Sequence, residues 1–192
     1  MTSTTLFYIF IGILVFNFLV DFFLDYLNAK HFKDNLPPEL QDVYDDDEYK
    51  TSQKYKAANQ SFSNITSLFS LMLTLSFFFL DGFKFVDDIA RSYSSNSIVI
   101  ALLFFGIIML ASDIITTPFS YYKTFVIEER FGFNKTTLKT FILDKIKGWF
   151  MLIIIGGGIL ALIVWFYEIT GSDFWIYAWI AVAVFSIFMN MF

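Results

Sequence analysis

The chain has 192 residues, 57% of them hydrophobic and 21% aromatic, including 27 Phe, with a net charge of −5 and a pI near 4.7. So much apolar mass excludes an ordinary soluble domain, and the acidic balance excludes a nucleic-acid partner, which needs a concentrated basic face. With no cysteine and a single histidine, His31, the chain cannot form a disulfide, a thiolate metal site or an H-E-x-x-H zinc motif. A cysteine nucleophile is excluded too, and the chain alone cannot be a self-sufficient zinc enzyme.

The first apolar block runs from about Leu6 to Leu24. No basic residue precedes it and no small-x-small cleavage site follows, so it reads as a retained helix rather than a signal peptide. Asn17, Asp21 and Asp25 fall at i, i+4 and i+8, one polar stripe on this helix. Ionisable groups at such depth face a bundle interior or a water-filled cavity, or lie in the interface, where Asp25 also fits.

The first loop, Asn28 to Gln60, is punctuated by Pro37-Pro38. It then carries the acidic run Asp45-Asp46-Asp47-Glu48 ahead of a Lys-, Gln- and Ala-rich stretch. Acids at a helix start suit the macrodipole, so a helix is expected here, feeding into a second span at about Phe62 to Leu80. Four adjacent carboxylates lack the alternation and glycine of a calcium loop, which favours a solvated helix cap. A short second loop with Lys84 and Arg91 leads to the third block, Ile98 to Ile115, with Asp113 near its end.

Pro118 is expected to end or kink the third span. Glu128-Glu129-Arg130 reads as a structural corner or part of a site, and Gly132 fits a turn after a helical stretch. Thr136 to Gly148 reads as an amphipathic helix with Leu138, Phe141, Ile142 and Ile146 on one side. The fourth block is Trp149 to Tyr167, and the fifth is Phe174 to Phe192. Gly156-Gly157-Gly158 with Ala161 offers a small-residue face for helix packing. The sequons at Asn59, Asn64 and Asn134 lie on the cytoplasmic side or in a span, and are read as chance matches.

Each block is about 18–20 residues, or roughly 27–30 Å of helix, which matches the bilayer core. The fold class is therefore all-α, a polytopic membrane protein of about five transmembrane helices plus cytoplasmic loop helices, with residues 1–192 forming a single membrane domain. Eleven of the 13 Lys and Arg lie in the first and third loops, which puts those loops in the cytoplasm and the N-terminus outside. Phe192 would emerge on the cytoplasmic side without a polar tail, which suggests a longer protein. Phe richness and the lack of cysteine fit a bacterial inner membrane.

At the third loop the sequence resembles a known family. Phe125-Val126-Ile127-Glu128-Glu129-Arg130-Phe131-Gly132-Phe133-Asn134-Lys135, followed by Asp144-Lys145-Ile146-Lys147, is similar to the segment ahead of the fourth span in type I CAAX prenyl endopeptidases and their bacterial relatives. Tyr26-Leu27-Asn28, Pro38-Glu39-Leu40, Tyr49 to Tyr55, Phe62 and Pro118-Phe119 agree with it. The resemblance implies an integral-membrane zinc metalloprotease with seven helices around a water-filled chamber, acting on protein or peptide substrates. It places the H-E-x-x-H domain beyond the fifth helix, so zinc belongs to a catalytic part absent here and no cofactor is bound by this chain. Only Glu128, Glu129, Arg130, Gly132, Phe133 and Asn134 carry over, as residues that shape the chamber or brace the zinc domain. Asn17, Asp21, Asp25 and Asp113 would suit the chamber wall.

Three other readings compete. One is a free-standing membrane scaffold for a separate subunit, and another is a small transporter, for which no internal repeat speaks. An aspartyl intramembrane protease using Asp21 and Asp113 has nothing to fix the separation of the two carboxylates.

Overall fold

The computed structural model describes residues 2–30, 32 and 45–191. His31, Pro37-Pro38, Pro38-Glu39-Leu40 and Phe192 lie outside the described residues. Among the described residues seven α-helices follow one another: α1 Ser3–Ala29, α2 Asp46–Phe79, α3 Gly82–Tyr93, α4 Ser97–Tyr122, α5 Leu138–Met151, α6 Gly157–Thr170 and α7 Phe174–Met191. Two π-helical segments, Lys123–Glu128 and Leu152–Gly156, join the run after α4 and link α5 to α6. There is no strand among the described residues.

Local chemistry sets the helix ends. Thr2 opens α1, its hydroxyl oxygen accepting from the Thr5 backbone N–H at 3.2 Å. Asn96 does the same for α4, its side-chain oxygen accepting from the N–H groups of Ile98 and Val99 at 3.0 and 3.1 Å. The acids Asp46, Asp47 and Glu48 fill the first turn of α2, where the exposed N–H dipoles favour negative charge. The expected helix thus forms, and it runs unbroken into the second span over 34 residues.

Pro118 does not end the third span. The helix continues through it to Tyr122 and then on as the π segment. Proline removes one backbone donor in this turn. Just upstream, the Thr116 and Thr117 hydroxyls donate to the Asp113 carbonyl at 3.3 and 2.7 Å, a back-bonding that helices with local bends tolerate. The loop helix also departs from expectation: it starts at Leu138 and passes without a stop through Gly148 into the fourth span. Its Leu138, Ile142 and Ile146 are all exposed.

The apolar stretch Leu138–Phe188 is 51 residues long, about 77 Å if straight, far more than a bilayer spans. Gly171, at φ +56°, breaks it. The Phe166 and Tyr177 rings then lie 6.1 Å apart, although eleven residues of straight helix would separate them by about 16 Å. The chain therefore turns back, so the four long apolar runs among the described residues make five passes, the last run supplying two of them.

Two compact units make up the chain, Met1–Phe83 with Asp113–Thr137, and Lys84–Ser112 with Leu138–Phe192. In the first, Phe7 meets Phe78 and Phe79 at 6.1 and 5.5 Å, so α1 and α2 form an antiparallel pair. Phe62 and Phe69 on α2 meet Phe119 at 6.3 and 4.8 Å, which seats the Pro118 turn against α2. The tight α2–α3 turn has Asp81 at φ +54°, and Gly82 follows where a Cβ would sit 2.6 Å from Cγ of Phe77. In the second unit, Gly157 faces Leu102, and the small-residue run Gly156–Gly158 lines an apolar cavity of about 580 Å³ with Gly106 and Ala161.

Buried apolar side chains are few: among the described residues, Val86, Ala90 and Ile127. Large residues such as Phe10, Phe16, Ile65, Met72, Leu162 and Trp179 are exposed along the helices. In water this surface would be untenable, whereas hydrocarbon accepts it without cost. The helices are membrane helices.

Candidate functional site

The run that ends α4 and its π extension is closed by hydrogen bonds from the Glu128–Asn134 segment. The Gly132 N–H donates to the Glu129 carbonyl at 3.1 Å and the Phe133 N–H to the Glu128 carbonyl at 2.9 Å. With Gly132 at φ +75°, this is a Schellman cap, and it explains why glycine stands at that position. The Asn134 N–H also reaches the Glu128 carbonyl, at 3.3 Å.

Asn134 then locks the exit. Its amide nitrogen donates to Glu129 Oε2 at 2.8 Å, and its side-chain oxygen accepts from the Thr136 N–H at 2.7 Å. Two phenylalanines flank the glycine, and both dock on one tyrosine of α2. Tyr55 lies 5.4 Å from the Phe131 ring and 4.7 Å from the Phe133 ring. The Arg130 guanidinium lies 5.7 Å from the Phe131 ring. No ion pair joins Glu128, Glu129 or Arg130 to another described residue; the corner is held by backbone geometry, Asn134 and aromatic packing.

Ile127 is buried within the π segment, while Glu129, Arg130, Gly132 and Phe133 are exposed. A π turn inserts one residue into the helical repeat, so it re-aims the side chains that follow it, and such turns recur at functional sites. Here it presents Glu128 to Arg130 immediately before the cap.

The intramembrane polar residues are arranged differently. Steps of four on a helix drift by about 40°, so the α1 stripe winds around its helix. Asp25 is half-buried, while Asn17 and Asp21 are exposed. No hydrogen bond or ion pair links these three to another described residue. Asp113 is half-buried on α4. The capped corner is thus one assembled unit, whereas the stripe is a line on a single helix.

Among the described residues, no three of His, Cys, Asp or Glu cluster to hold a metal ion. A family model described as "CAAX prenyl protease N-terminal, five membrane helices" matches residues 25–192.

The chain belongs to that family.

The CAAX prenyl protease N-terminal match agrees with relatives across most of the chain. A probable CAAX prenyl protease 1 of Schizosaccharomyces pombe is 33% identical over 171 residues, which is 80% of this chain and 35% of the relative. CAAX prenyl protease 1 of Saccharomyces cerevisiae is 30% identical over 174 residues, 85% of this chain and 38% of the relative. The crystal structure of S. mikatae Ste24p superposes with a TM-score of 0.86 at 30% identity, covering 95% of this chain and 44% of that one. The chain spans less than half the length of each of these relatives. It corresponds to the family's N-terminal membrane region, and the catalytic motif of such a protease is not in it.

Two features escaped the sequence reading. Tyr55 lies far from the corner in sequence, and its pairing with Phe131 and Phe133 has no local signal. The helix α3 had one: Gly82, Val86 and Ala90 recur every four residues and are all buried, with Asp87, Asp88 and Arg91 outside that line. Arg91 donates to Asp87 at 2.7 Å, and that carboxylate holds its guanidinium above the ordinary arginine pKa range.

Proposed function

We propose that this chain is the membrane half of a zinc metalloendopeptidase, that residues 1–192 work as one membrane domain, and that its helices wall much of an intramembrane chamber. The observation that carries this reading is the family match over residues 25–192, joined to the capped corner at Glu128–Asn134. Glu128, Glu129, Arg130, Gly132, Phe133 and Asn134 form a rigid projection that braces the catalytic part. Asn17, Asp21, Asp25 and Asp113 line the chamber, because carboxylates on spanning helices demand water or a polar partner. The scissile peptide comes from a protein or peptide substrate held in that chamber.

The zinc ion and the water it activates belong to the catalytic part, outside this chain. The lysine and arginine balance supports an orientation with the corner and the first loop in the cytoplasm and the N-terminus outside. A bacterial inner membrane rests on Phe richness and the lack of cysteine alone.

The test compares the purified 192-residue chain with the same chain extended by whatever its genome encodes after Phe192. The extended protein should hold about one zinc per chain and cleave a prenylated CAAX peptide, while the shorter one does neither. Peptidase activity from the short chain would overturn the reading. A stop codon directly after Phe192 would favour a scaffold that recruits a separate zinc subunit.

A further inference from the structure

One face of α2 carries polar groups that the fold leaves with unused bonding capacity. Lys56, Asn59, Gln60, Ser63 and Thr66 recur at i, i+3, i+4, i+7 and i+10, within about 120° of one another around the helix. With Lys123, the first residue of the π segment, they line a cleft of about 540 Å³ in the first unit. A cleft of this volume suits a small ligand or a few residues of peptide.

The hydrogen bonds within the chain leave the cleft a defined chemistry. Asn59 donates to the Tyr55 carbonyl at 3.0 Å and Gln60 to Asn64 Oδ1 at 3.1 Å, so both amide oxygens keep their capacity to accept. The Thr66 hydroxyl donates to the Ser63 carbonyl at 2.9 Å, and its oxygen can still accept as well. Lys56 and Lys123 are exposed, and neither is ion-paired to a described residue. Two cations therefore stand beside acceptor oxygens that want N–H donors.

That combination selects among anions. An ionised phosphate brings acceptor oxygens almost alone, which the lysines attract and the amide oxygens repel. A peptide ending in a free carboxylate brings one negative charge and, next to it along the chain, backbone N–H donors. We propose that this cleft binds the C-terminal end of a peptide, with its carboxylate between Lys56 and Lys123 and its last N–H groups on Asn59 and Gln60. The inference rests on the reading of this chain as the membrane half of an endopeptidase, and it names the end of the substrate that the membrane half holds.

The test is fluorescence anisotropy of the full 192-residue chain in neutral detergent. The probe is a fluorescein-capped tetra-alanine peptide, either as the free carboxylate or as its C-terminal amide. Wild type should bind the carboxylate about tenfold more tightly, the scale of two partly screened ion pairs. Lys56→Gln/Lys123→Gln should bring the two peptides to parity, while Lys56→Arg/Lys123→Arg should keep the preference. Ser63→Leu leaves both lysines and fills the cleft, so it should weaken binding of both peptides, and it keeps the test decisive if the glutamine variant does not fold. N-acetylalanine should compete better than inorganic phosphate at equal concentration. Equal binding of carboxylate and amide by wild type, unchanged binding in Ser63→Leu, or parity in Lys50→Gln/Lys139→Gln would overturn the site. Phosphate competing as well as N-acetylalanine would show a general anion site and overturn the peptide as its occupant. Every arm reads peptide binding by this chain, so its failure leaves the zinc and cleavage test of the extended protein standing.

Discussion

Gly132→Ala isolates the backbone geometry of the corner from everything else it does. A Cβ added at Gly132 meets no atom within 4 Å, so no clash contributes. What remains is the left-handed φ of +75°, which costs an L-residue about 1–2 kcal/mol. A cost of this size raises the open population of the cap by about 5–30-fold. The assay is hydrogen exchange at the Phe133 and Asn134 amides, whose hydrogen bonds to the Glu128 carbonyl define the cap. Gly148→Ala is the matched control, since it also meets nothing within 4 Å but lies inside α5. That substitution should stabilise its helix by about 0.5–1 kcal/mol and leave the corner's exchange unchanged. Equal exchange in Gly132→Ala and wild type, or a similar rise in Gly148→Ala, would show that the Schellman cap does not hold this segment.

Tyr55→Ala and Phe133→Ala should be coupled in a double-mutant cycle by about 0.5–1.5 kcal/mol, read from thermal unfolding in a fixed detergent, and additivity would deny the aromatic clamp. Asn134→Asp places a carboxylate where the amide nitrogen now sits 2.8 Å from Glu129. It should destabilise the corner by about 0.5–1.5 kcal/mol, since a hydrogen bond is replaced by a contact between like charges, and unchanged stability in Asn134→Asp would contradict the contact. The chain has no cysteine, so Ser94→Cys and Lys135→Cys can be labelled singly. An impermeant maleimide should reach them from opposite sides of the membrane, and labelling of both from one side would overturn the proposed orientation.

Much of this architecture was legible as hydropathy, because hydrocarbon imposes a length and composition that a helix cannot evade. The acidic start of α2 and the glycine of the cap were also readable, each being a local signal with a local cause. Pro118 does not end the helix: neighbouring threonines bond back to the Asp113 carbonyl, and helical geometry passes through. The loop helix misled by its apparent boundary, since nothing between Leu138 and the fourth span interrupts helical geometry. Helix α3 was hidden by its modest hydropathy, although its buried line of Gly82, Val86 and Ala90 could have been counted. The π segments and the docking of Tyr55 on Phe131 and Phe133 depend on how separate helices meet, and no short window of sequence carries that.

The most direct measurement replaces the matching N-terminal segment of Saccharomyces cerevisiae CAAX prenyl protease 1 with residues 25–192 of this chain and follows cleavage of a prenylated CAAX peptide. A chamber half that is interchangeable within the family gives a zinc-loaded chimera with kcat/KM within about tenfold of the parent, a difference of about 1.4 kcal/mol in barrier. A chimera that folds in the membrane, binds zinc and cleaves nothing would contradict the assignment of this chain as the membrane half of such a protease.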